Sequence, residues 1–263
     1  ATAYMAKYGA TPEDFMKVGI KNHKNGALNP KAQFNKSIRD LMNSRIEKAK
    51  QKGEPAPTWQ DELEFLKDPA ANPVVAWPMR LFDCSPITDG AACLLLVAED
   101  LARDFSNVPL YIIGSGHATD HALPEREDMT TISAARVAAK QAYDMAGVTP
   151  KDIQIAEVHD CFTIAELVAT EDLGFFKPGG AYMATREGIT ARDSAKPINT
   201  SGGLKSKGHP VGASGIGQVV ESWAQMRGEA GSRQVPGKDI RLALTHNVGA
   251  TGGTCVVHIF ERR

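Results

Sequence analysis

Long apolar runs, paired cysteines and an excess of charge of one sign are all missing from this 263-residue chain. No run of about 18 apolar residues is present, so no membrane-spanning helix is expected. The formal net charge is −1, which gives no global field that would favour nucleic acid or an anionic membrane as a partner. The four cysteines include no Cys-x-x-Cys pair, which argues against a structural zinc site and against a disulfide framework.

Other absences exclude whole classes of enzyme. The seven histidines show no His-Glu-x-x-His spacing, so a zinc hydrolase is not expected, and we predict no metal site. A phosphate-binding Gly-x-x-x-x-Gly-Lys-Ser/Thr loop and a Gly-x-Ser-x-Gly nucleophile turn are missing as well. The first residues lack the layout of a signal peptide. A reducing compartment fits the cysteines, and we expect the cytoplasm, or a peroxisome if the source is eukaryotic.

Apolar and helical patterns alternate along most of the chain. Their order indicates an α/β class with a mixed sheet flanked by helices. The predicted strands are 91–98, 109–116, 153–160, 240–248 and 254–260, and the predicted helices begin at 11–24 and continue at 130–147, 162–174 and 215–228.

Three features qualify this pattern. Residues 35–68 are rich in charge, and they read either as a solvated excursion of two short helices or as a lid or partner-docking arm. The helix at 130–147 carries a face of alanines suited to close packing. Cys93 and Cys255 fall inside predicted strands and are expected to pack in the core, whereas Cys84 is expected in a turn.

Three loops at strand ends each carry a histidine. His159 precedes Asp160 and Cys161 after the third strand, His209 lies in a glycine-rich loop, and His246 lies near the last turn. Each histidine alone is more often structural than catalytic. Together, neutral imidazoles that donate to an oxyanion, a cysteine that moves a proton or attacks a carbonyl, and exposed backbone N–H groups suit acyl transfer or enolate chemistry on a thioester.

These motifs resemble a known family. His-Asp-Cys-Phe at 159–162, the loop at 202–215 and His-Asn-Val-Gly-Ala-Thr-Gly-Gly at 246–253 look like the C-terminal half of the thiolase superfamily, most of all its sterol-carrier-protein type. The resemblance implies a layered αβαβα fold built from two similar halves, usually dimeric. It divides this chain into a partial loop domain at 1–73, with the charged insertion at about 35–68, and a thiolase C-terminal domain at 74–263.

The resemblance also implies a role for each motif residue. His159 would donate to the enolate oxygen of the acyl-CoA, and Cys161 would be the acid/base that moves the α-proton. His209 would activate the nucleophilic thiol and share an oxyanion hole. His246 stands where ordinary thiolases carry their acid/base cysteine. The backbone of Gly208, Val248 and Gly249 would contact the substrate, which is a coenzyme A thioester, so no further cofactor is implied.

One departure from the family matters for function. The acylated cysteine of thiolases lies in the N-terminal half, and none of the four cysteines here has its sequence context. We therefore expect a fragment of a longer enzyme or one subunit of a split one, associated with the N-terminal half in a homo- or hetero-oligomer. A small zinc-ribbon/OB-fold acyl-CoA-binding protein is a further expected partner, docked through 35–68.

Three functions remain open from the sequence. The first is an acyl-CoA C-acyltransferase that cleaves a 3-ketoacyl-CoA with coenzyme A or condenses two acyl-CoAs. The second is an aldolase or lyase of the same superfamily that acts on a CoA ester and needs no acylated cysteine. The third is a non-catalytic acyl-CoA-binding subunit of a heteromeric complex, which the retained histidines and cysteine argue against.

Overall fold

A computed structural model describes residues 1–121 and 123–263. Within these two ranges no helix is both long and apolar enough to cross a membrane. The helices are α1 (Thr2–Tyr8), α2 (Pro12–Gly26), α3 (Ile38–Gln51), α4 (Glu62–Lys67), α5 (Ala102–Phe105), α6 (Ser133–Ala146), α7 (Thr163–Asp172), α8 (Ala181–Arg186), α9 (Gly203–Lys207) and α10 (Ser214–Arg227). The strands are β1 (Val74–Ala76), β2 (Met79–Arg80), β3 (Leu110–Thr119), β4 (Ile155–Glu157), β5 (Leu242–Gly249) and β6 (Thr254–Arg262).

A four-stranded mixed sheet forms the centre of the fold, with strand order β3-β6-β5-β4. β6 runs antiparallel to β3 and to β5, while β4 and β5 are parallel. α6 packs on one face of this sheet and α10 on the other. The predicted α/β class with a mixed sheet flanked by helices is therefore confirmed. Because β4 and β5 are parallel neighbours, their C-terminal ends lie side by side at one edge of the sheet.

The alanine face of α6, which was predicted to pack closely, lies on β3. Ala135, Ala138 and Ala142 are fully buried. The approach is so close that a Cβ built on Gly116 would stand 1.9 Å from the carbonyl oxygen of Ala138. A Cβ on Gly114 would stand 2.3 Å from the carbonyl oxygen of Ala142. Small residues on both elements therefore let backbone pack against backbone.

The charged segment at 35–68 forms two helices, α3 and α4, on either side of its proline turn. Its outer face is exposed, but the inner face is apolar. Ile38, Met42, Phe65 and Leu66 are buried in a cluster that also takes in Met16 of α2. The segment is thus anchored by a small core of its own rather than loosely attached, and its polar side alone faces solvent.

The apolar run at 91–98 is not a buried strand, so this prediction was wrong. The segment has no ladder partner among the described residues, and Leu95 and Leu96 are 70% and 72% exposed. Cys93 is exposed as well, which corrects its expected place in the core, whereas Cys255 is buried as predicted. A strand needs a neighbour for its backbone N–H and C=O groups, and apolar composition does not supply one.

Candidate active site

β4 is only three residues long. The candidate site residues His159 and Cys161 lie in the loop that follows it. The turn is held by Asn199, whose Oδ1 accepts from the Val158 N–H at 2.8 Å. Asp160 is fully buried and accepts from the N–H groups of Leu204 and Lys205 at 2.6 and 3.3 Å. Asp160 therefore fastens this turn to α9, which leads into the loop of His209.

His159 and His209 come together at this point. Their ring centroids are 5.0 Å apart and their planes are nearly perpendicular, at 88°. Burial lowers the pKa of His159 to about 4, with the neighbouring His209 as the second cause. The pKa of His209 is also lowered, by burial and then by Lys207. Both rings are therefore neutral at pH 7, which is the form that can exchange a proton with a substrate.

The ring orientation of His209 follows from its partner Ser214, at the start of α10. The Ser214 hydroxyl donates to the carbonyl oxygen of Pro210 at 3.0 Å, and the same hydroxyl oxygen lies 2.7 Å from His209 Nδ1. When the hydroxyl proton is directed at Pro210, it is Nδ1 that carries the proton of the contact with Ser214 and donates it. Nε2 of the neutral ring is then unprotonated, which is the state that a general base requires.

His246 lies on β5 but points away from Asn247, because neighbouring side chains of a strand alternate between faces. It is 1% exposed, and its Nδ1 accepts from the backbone N–H of His159 at 3.4 Å. Burial lowers the pKa of His246 to about 3. The structure thus joins His246 to the backbone of His159. The catalytic role proposed for its ring stays a prediction.

Asn247 is a site residue that the motifs did not single out. Its Oδ1 lies 3.2 Å from His159 Nδ1, so this amide contacts the histidine ring from the opposite side of β5 to His246. The sequence could have indicated this residue. His246 and Asn247 are adjacent in a strand, so their side chains lie on opposite faces of the sheet and only one of them can face α10. Ser214 was missed in the same way, although it begins the helix after His209.

Cys161 follows two residues after His159, and its carbonyl oxygen accepts from the Ser85 N–H at 2.8 Å. Burial raises the pKa of its thiol to about 11, and the nearby Asp160 adds to this effect. At neutral pH Cys161 is therefore a thiol, ready to give a proton rather than to attack a carbonyl. This state agrees with the acid half of an acid/base role and disagrees with an activated nucleophile.

The three backbone positions expected to contact substrate occupy different environments. Gly208 is buried with a φ of 114°, a left-handed conformation that glycine adopts without strain. A Cβ there would also meet Thr88, whose hydroxyl accepts from the His209 N–H at 2.9 Å. Val248 and Gly249 are the last residues of β5 and are paired with β6 rather than placed in a loop. Their contact with substrate stays a prediction.

Beside the site, the face of the sheet that carries α10 is open. A cavity of about 1360 Å³ lies between this face and the extended segment at 94–97. Asn247 and Gln218 line it, as do exposed apolar side chains such as Leu96 and Trp223. Within the described ranges no group of three or more His, Cys, Asp or Glu is placed to hold a metal ion. Asn247, which contacts the His159 ring, thus connects the pair of neutral imidazoles with a large apolar surface.

Comparison with known proteins identifies the family to which this layered α/β fold belongs. The sequence pattern of a family described as "Thiolase C-terminal domain-like" matches residues 115–262. The chain belongs to this family.

The sequence similarity to named relatives extends over nearly the whole chain. An acetyl-CoA acetyltransferase of Methanothermobacter thermautotrophicus is 43% identical over 100% of this chain and 61% of its own length. Sterol carrier protein 2 of Bos taurus is 35% identical over 98% of this chain and 43% of its own length. The chain thus spans between two fifths and about three fifths of the curated relatives it matches.

Two solved structures are similar in fold. One, described as "Ltp2-ChsH2(DUF35) aldolase", has a TM-score of 0.77 at 25% identity, covering 98% of this chain and 60% of that chain. A monomeric SCP2-thiolase-like protein type 1 from Mycobacterium smegmatis has a TM-score of 0.65 at 19% identity, covering 99% of this chain and 49% of that chain. Both confirm the thiolase-like fold.

Proposed function

We propose that this chain carries the acid/base residues of a thiolase-type acyl-CoA C-acyltransferase. The reaction would cleave a 3-ketoacyl-CoA with coenzyme A or condense two acyl-CoAs. The observation that carries the proposal is the approach of the His159 and His209 rings to 5.0 Å at the end of β4. The names of the acetyl-CoA acetyltransferase relatives support it, because the similarity to them covers these loops.

The roles follow from the protonation states. His209, with an unprotonated Nε2, would take the proton of the attacking thiol. Cys161, as a thiol, would protonate the α-carbon in the cleavage direction. Gly208 would bring backbone N–H groups close to the thioester oxygen, and the same is proposed for Val248 and Gly249 at the end of β5.

The test is turnover of acetoacetyl-CoA with coenzyme A by the assembled enzyme. His209→Ala and Cys161→Ala should each lower kcat by about 10²–10⁴-fold, as losses of a general acid or base do. His117→Ala is a matched control, because His117 is exposed on β3 and contacts Thr254 instead. Near-normal turnover in Cys161→Ala would reject its role, and near-normal turnover in His209→Ala would reject the proposal.

The acylated nucleophile would come from a region other than the described residues. Burial raises the pKa of Cys255 to about 12 and of Cys161 to about 11, and raises that of Cys84. Cys93 lies on the exposed segment at 91–98, and among the described residues its thiol makes no hydrogen bond to an imidazole. None of the four thiols is therefore activated as an acyl acceptor should be.

The open apolar face is the surface we assign to the nucleophile-bearing half. Soluble proteins rarely leave a contiguous apolar surface of this kind uncovered. The face lies beside Asn247, so a partner seated on it would complete the site. That half would come from the same longer chain or from a separate subunit, in a homo- or hetero-oligomer.

An aldolase or lyase acting on a CoA ester is the alternative. It is favoured by one comparison, since the solved structure with a TM-score of 0.77 is named as an aldolase. Such an enzyme needs no acylated cysteine, so trapping an acyl-enzyme by mass spectrometry would count against it. A non-catalytic acyl-CoA-binding subunit would show coenzyme A affinity without turnover in the presence of every candidate partner.

A small acyl-CoA-binding protein of the zinc-ribbon/OB-fold type is proposed to dock on the outer face of α3. The name of the similar aldolase includes a DUF35 component, which supports an assembly of this kind. Deleting the whole segment would open the cluster around Phe65, so charge reversal is the better test. Lys48→Glu with Lys50→Glu should abolish co-purification of the small partner. Lys140→Glu on α6 is the control, and retained co-purification in the double variant rejects the site.

A further inference from the structure

Three buried asparagines of α2 and the turn after it contact the loops of the candidate site. Asn22, Asn25 and Asn29 follow one another at spacings of four residues or fewer, which is the spacing of one helix face. Asn25 Nδ2 donates to the Asn199 carbonyl oxygen at 3.0 Å, and Asn29 Nδ2 donates to the Ser201 carbonyl oxygen at 2.8 Å. This side of α2 therefore holds the backbone that leads into α9.

Asn22 differs from the other two, because its NH₂ group bridges two carboxylates. Asn22 Nδ2 donates to Asp160 Oδ2 at 2.7 Å and to Glu166 Oε2 at 2.8 Å. The reversed amide would set its oxygen against both carboxylates, so this orientation is fixed. Asn22 Oδ1 is buried and has no hydrogen-bond partner among the described residues, which is an unfavourable state for an amide oxygen. The bridge is thus kept at the expense of one unpaired acceptor.

The other partners of the two carboxylates are donors as well. Two backbone N–H groups of α9 donate to Asp160, and Asn199 Nδ2 donates to Glu166 at 2.8 Å. Lys21 Nζ lies 2.5 Å from Glu166 Oε1. Burial and then Glu166 raise the pKa of Asp160, whereas the backbone donors and Lys21 lower it. Apolar residues commonly stabilise a core as well as a buried ionic cluster does, so stability alone does not explain this one.

The position of Asp160 explains the cluster better. His159 and Cys161 flank Asp160 in the sequence, so a displacement of its carboxylate displaces both. On one side Asp160 is packed against α9, where a Cβ built on Gly203 would stand 2.2 Å from Asp160 Oδ2. On α2 the contact is the amide of Asn22. Asp160 is therefore enclosed between the two helices.

We propose that Asn22 is a positioning residue for the acyl-CoA reaction. By donating to Asp160 and Glu166 at once, it fixes the turn that carries the site residues on both sides of Asp160, relative to His209 on the loop after α9. The proposal rests on the proposed function and leaves the roles given there unchanged. It also makes α2, which belongs to the predicted partial loop domain, a structural part of the site.

Turnover of acetoacetyl-CoA with coenzyme A by the assembled enzyme is the first readout. Asn22→Leu removes both donors, and we expect kcat to fall by about 10–10²-fold with KM nearly unchanged, because a small misplacement of reacting groups is costly. Asn43→Leu is the matched control, since Asn43 is exposed on α3. An unchanged kcat in Asn22→Leu overturns the proposal.

A pH profile of Asn22→Asp separates positioning from a general loss of stability and keeps the test decisive if Asn22→Leu does not fold. The new carboxyl group has the shape of the amide but can donate only while it is protonated. Asp160 and Glu166 are its acidic neighbours, and Lys21 and Lys205 are the cations of the cluster. Burial and the two carboxylates raise its pKa. The ratio of its kcat to the wild-type kcat should therefore fall as the pH rises from about 6 to about 9, and a constant ratio overturns the proposal.

The rate at which iodoacetamide alkylates Cys161 is a readout that needs no turnover. It is measured by peptide mass mapping of the full chain at pH 8, with the exposed Cys93 as the internal reference. Asn22→Leu should speed alkylation of Cys161 relative to Cys93 by about tenfold, because a turn without its clamp opens more often. Equal relative rates in Asn22→Leu and wild type overturn the positioning role. Faster alkylation, with no acyl-CoA turnover even in the assembled wild type, would support the positioning role and reject the proposed function instead.

Discussion

Buried neutral imidazoles are the dominant residue-scale feature of the chain. His159 and His246 lie within the site, and His23 lies apart from it on α2. In each case burial lowers the pKa well below the usual value near 6.5. The site histidines thereby stay unprotonated at physiological pH, and the ring proton of His159 is directed by one hydrogen-bond acceptor. The tautomer is thus as much a part of the site as the position of the ring.

Ser214→Ala tests the orientation of His209. The substitution removes the acceptor for Nδ1–H and lets the ring proton move to Nε2, where it blocks the base function. We expect kcat for acetoacetyl-CoA cleavage to fall, but by less than in His209→Ala, with KM changed little. Ser214→Thr keeps the hydroxyl and should retain most activity. A Ser214→Ala enzyme with full kcat would contradict the assigned tautomer.

The pH dependence of stability is predicted at His23, which lies outside the site. Burial lowers the pKa of His23 to about 3, with Lys205 as the second cause. The unfolded chain therefore binds one more proton below about pH 6, and the stability contributed by neutral His23 is lost as the pH falls. The free energy of unfolding of the wild type should fall relative to His23→Gln by up to about 1.4 kcal/mol per pH unit below pH 6. The free energies of unfolding are measured by urea unfolding across this pH range. If those of the wild type and His23→Gln changed equally with pH, this assignment would be contradicted.

At this scale the sequence predicted which residue types meet, but not how they are oriented. His159, Cys161 and His209 were singled out because their motifs are specific, and the structure brings the rings of His159 and His209 together. Asn247 was not singled out, because its contact with the His159 ring joins residues that are 88 positions apart in the sequence. No local pattern in the chain records that contact.

Among the elements, α6 and β3 pack with their backbones in close contact. Gly116→Ala would place a methyl group 1.9 Å from the Ala138 carbonyl oxygen, so the helix or the strand must move. We expect a loss of about 1–3 kcal/mol in the free energy of unfolding, as overpacking in a core costs. Gly253→Ala is the control, because its Cβ would meet nothing within 4 Å. An unchanged urea midpoint in Gly116→Ala would show that the contact is looser than described.

Helices and strands were predicted well where the segment has a packing partner within the chain. α2 begins at Pro12 after a Thr11–Asp14 capping box, and α6 and α10 end within a residue or two of their predicted limits. The prediction of a buried strand at 91–98 was wrong because apolar composition indicates a tendency to be buried, but not which neighbour would cover the segment. The prediction for Cys93 failed with it, because the expected place of that thiol in the core depended on this strand.

For the whole molecule, the open face beside α10 is the main feature. Leu96→Asp should leave the stability of the isolated chain nearly unchanged, because this side chain is already 72% exposed. In the assembled enzyme it should weaken association and lower turnover, since a charge would be buried without a partner. Val137→Asp on α6, which is 48% exposed on another surface, is the control. Equal association of Leu96→Asp and wild type, measured by sedimentation, would show that the face is not an interface.

The central claim is that this chain holds the acid/base part of an acyl-CoA site whose nucleophile lies elsewhere. The most direct measurement is intact mass spectrometry and turnover of the homogeneous 28.2 kDa chain with acetoacetyl-CoA and coenzyme A. We expect no acyl adduct on its cysteines and no turnover. We also expect turnover once a nucleophile-bearing thiolase half is added, and loss of that turnover in His209→Ala. Turnover by the chain alone, with an acyl group on one of its own four cysteines, would contradict the claim.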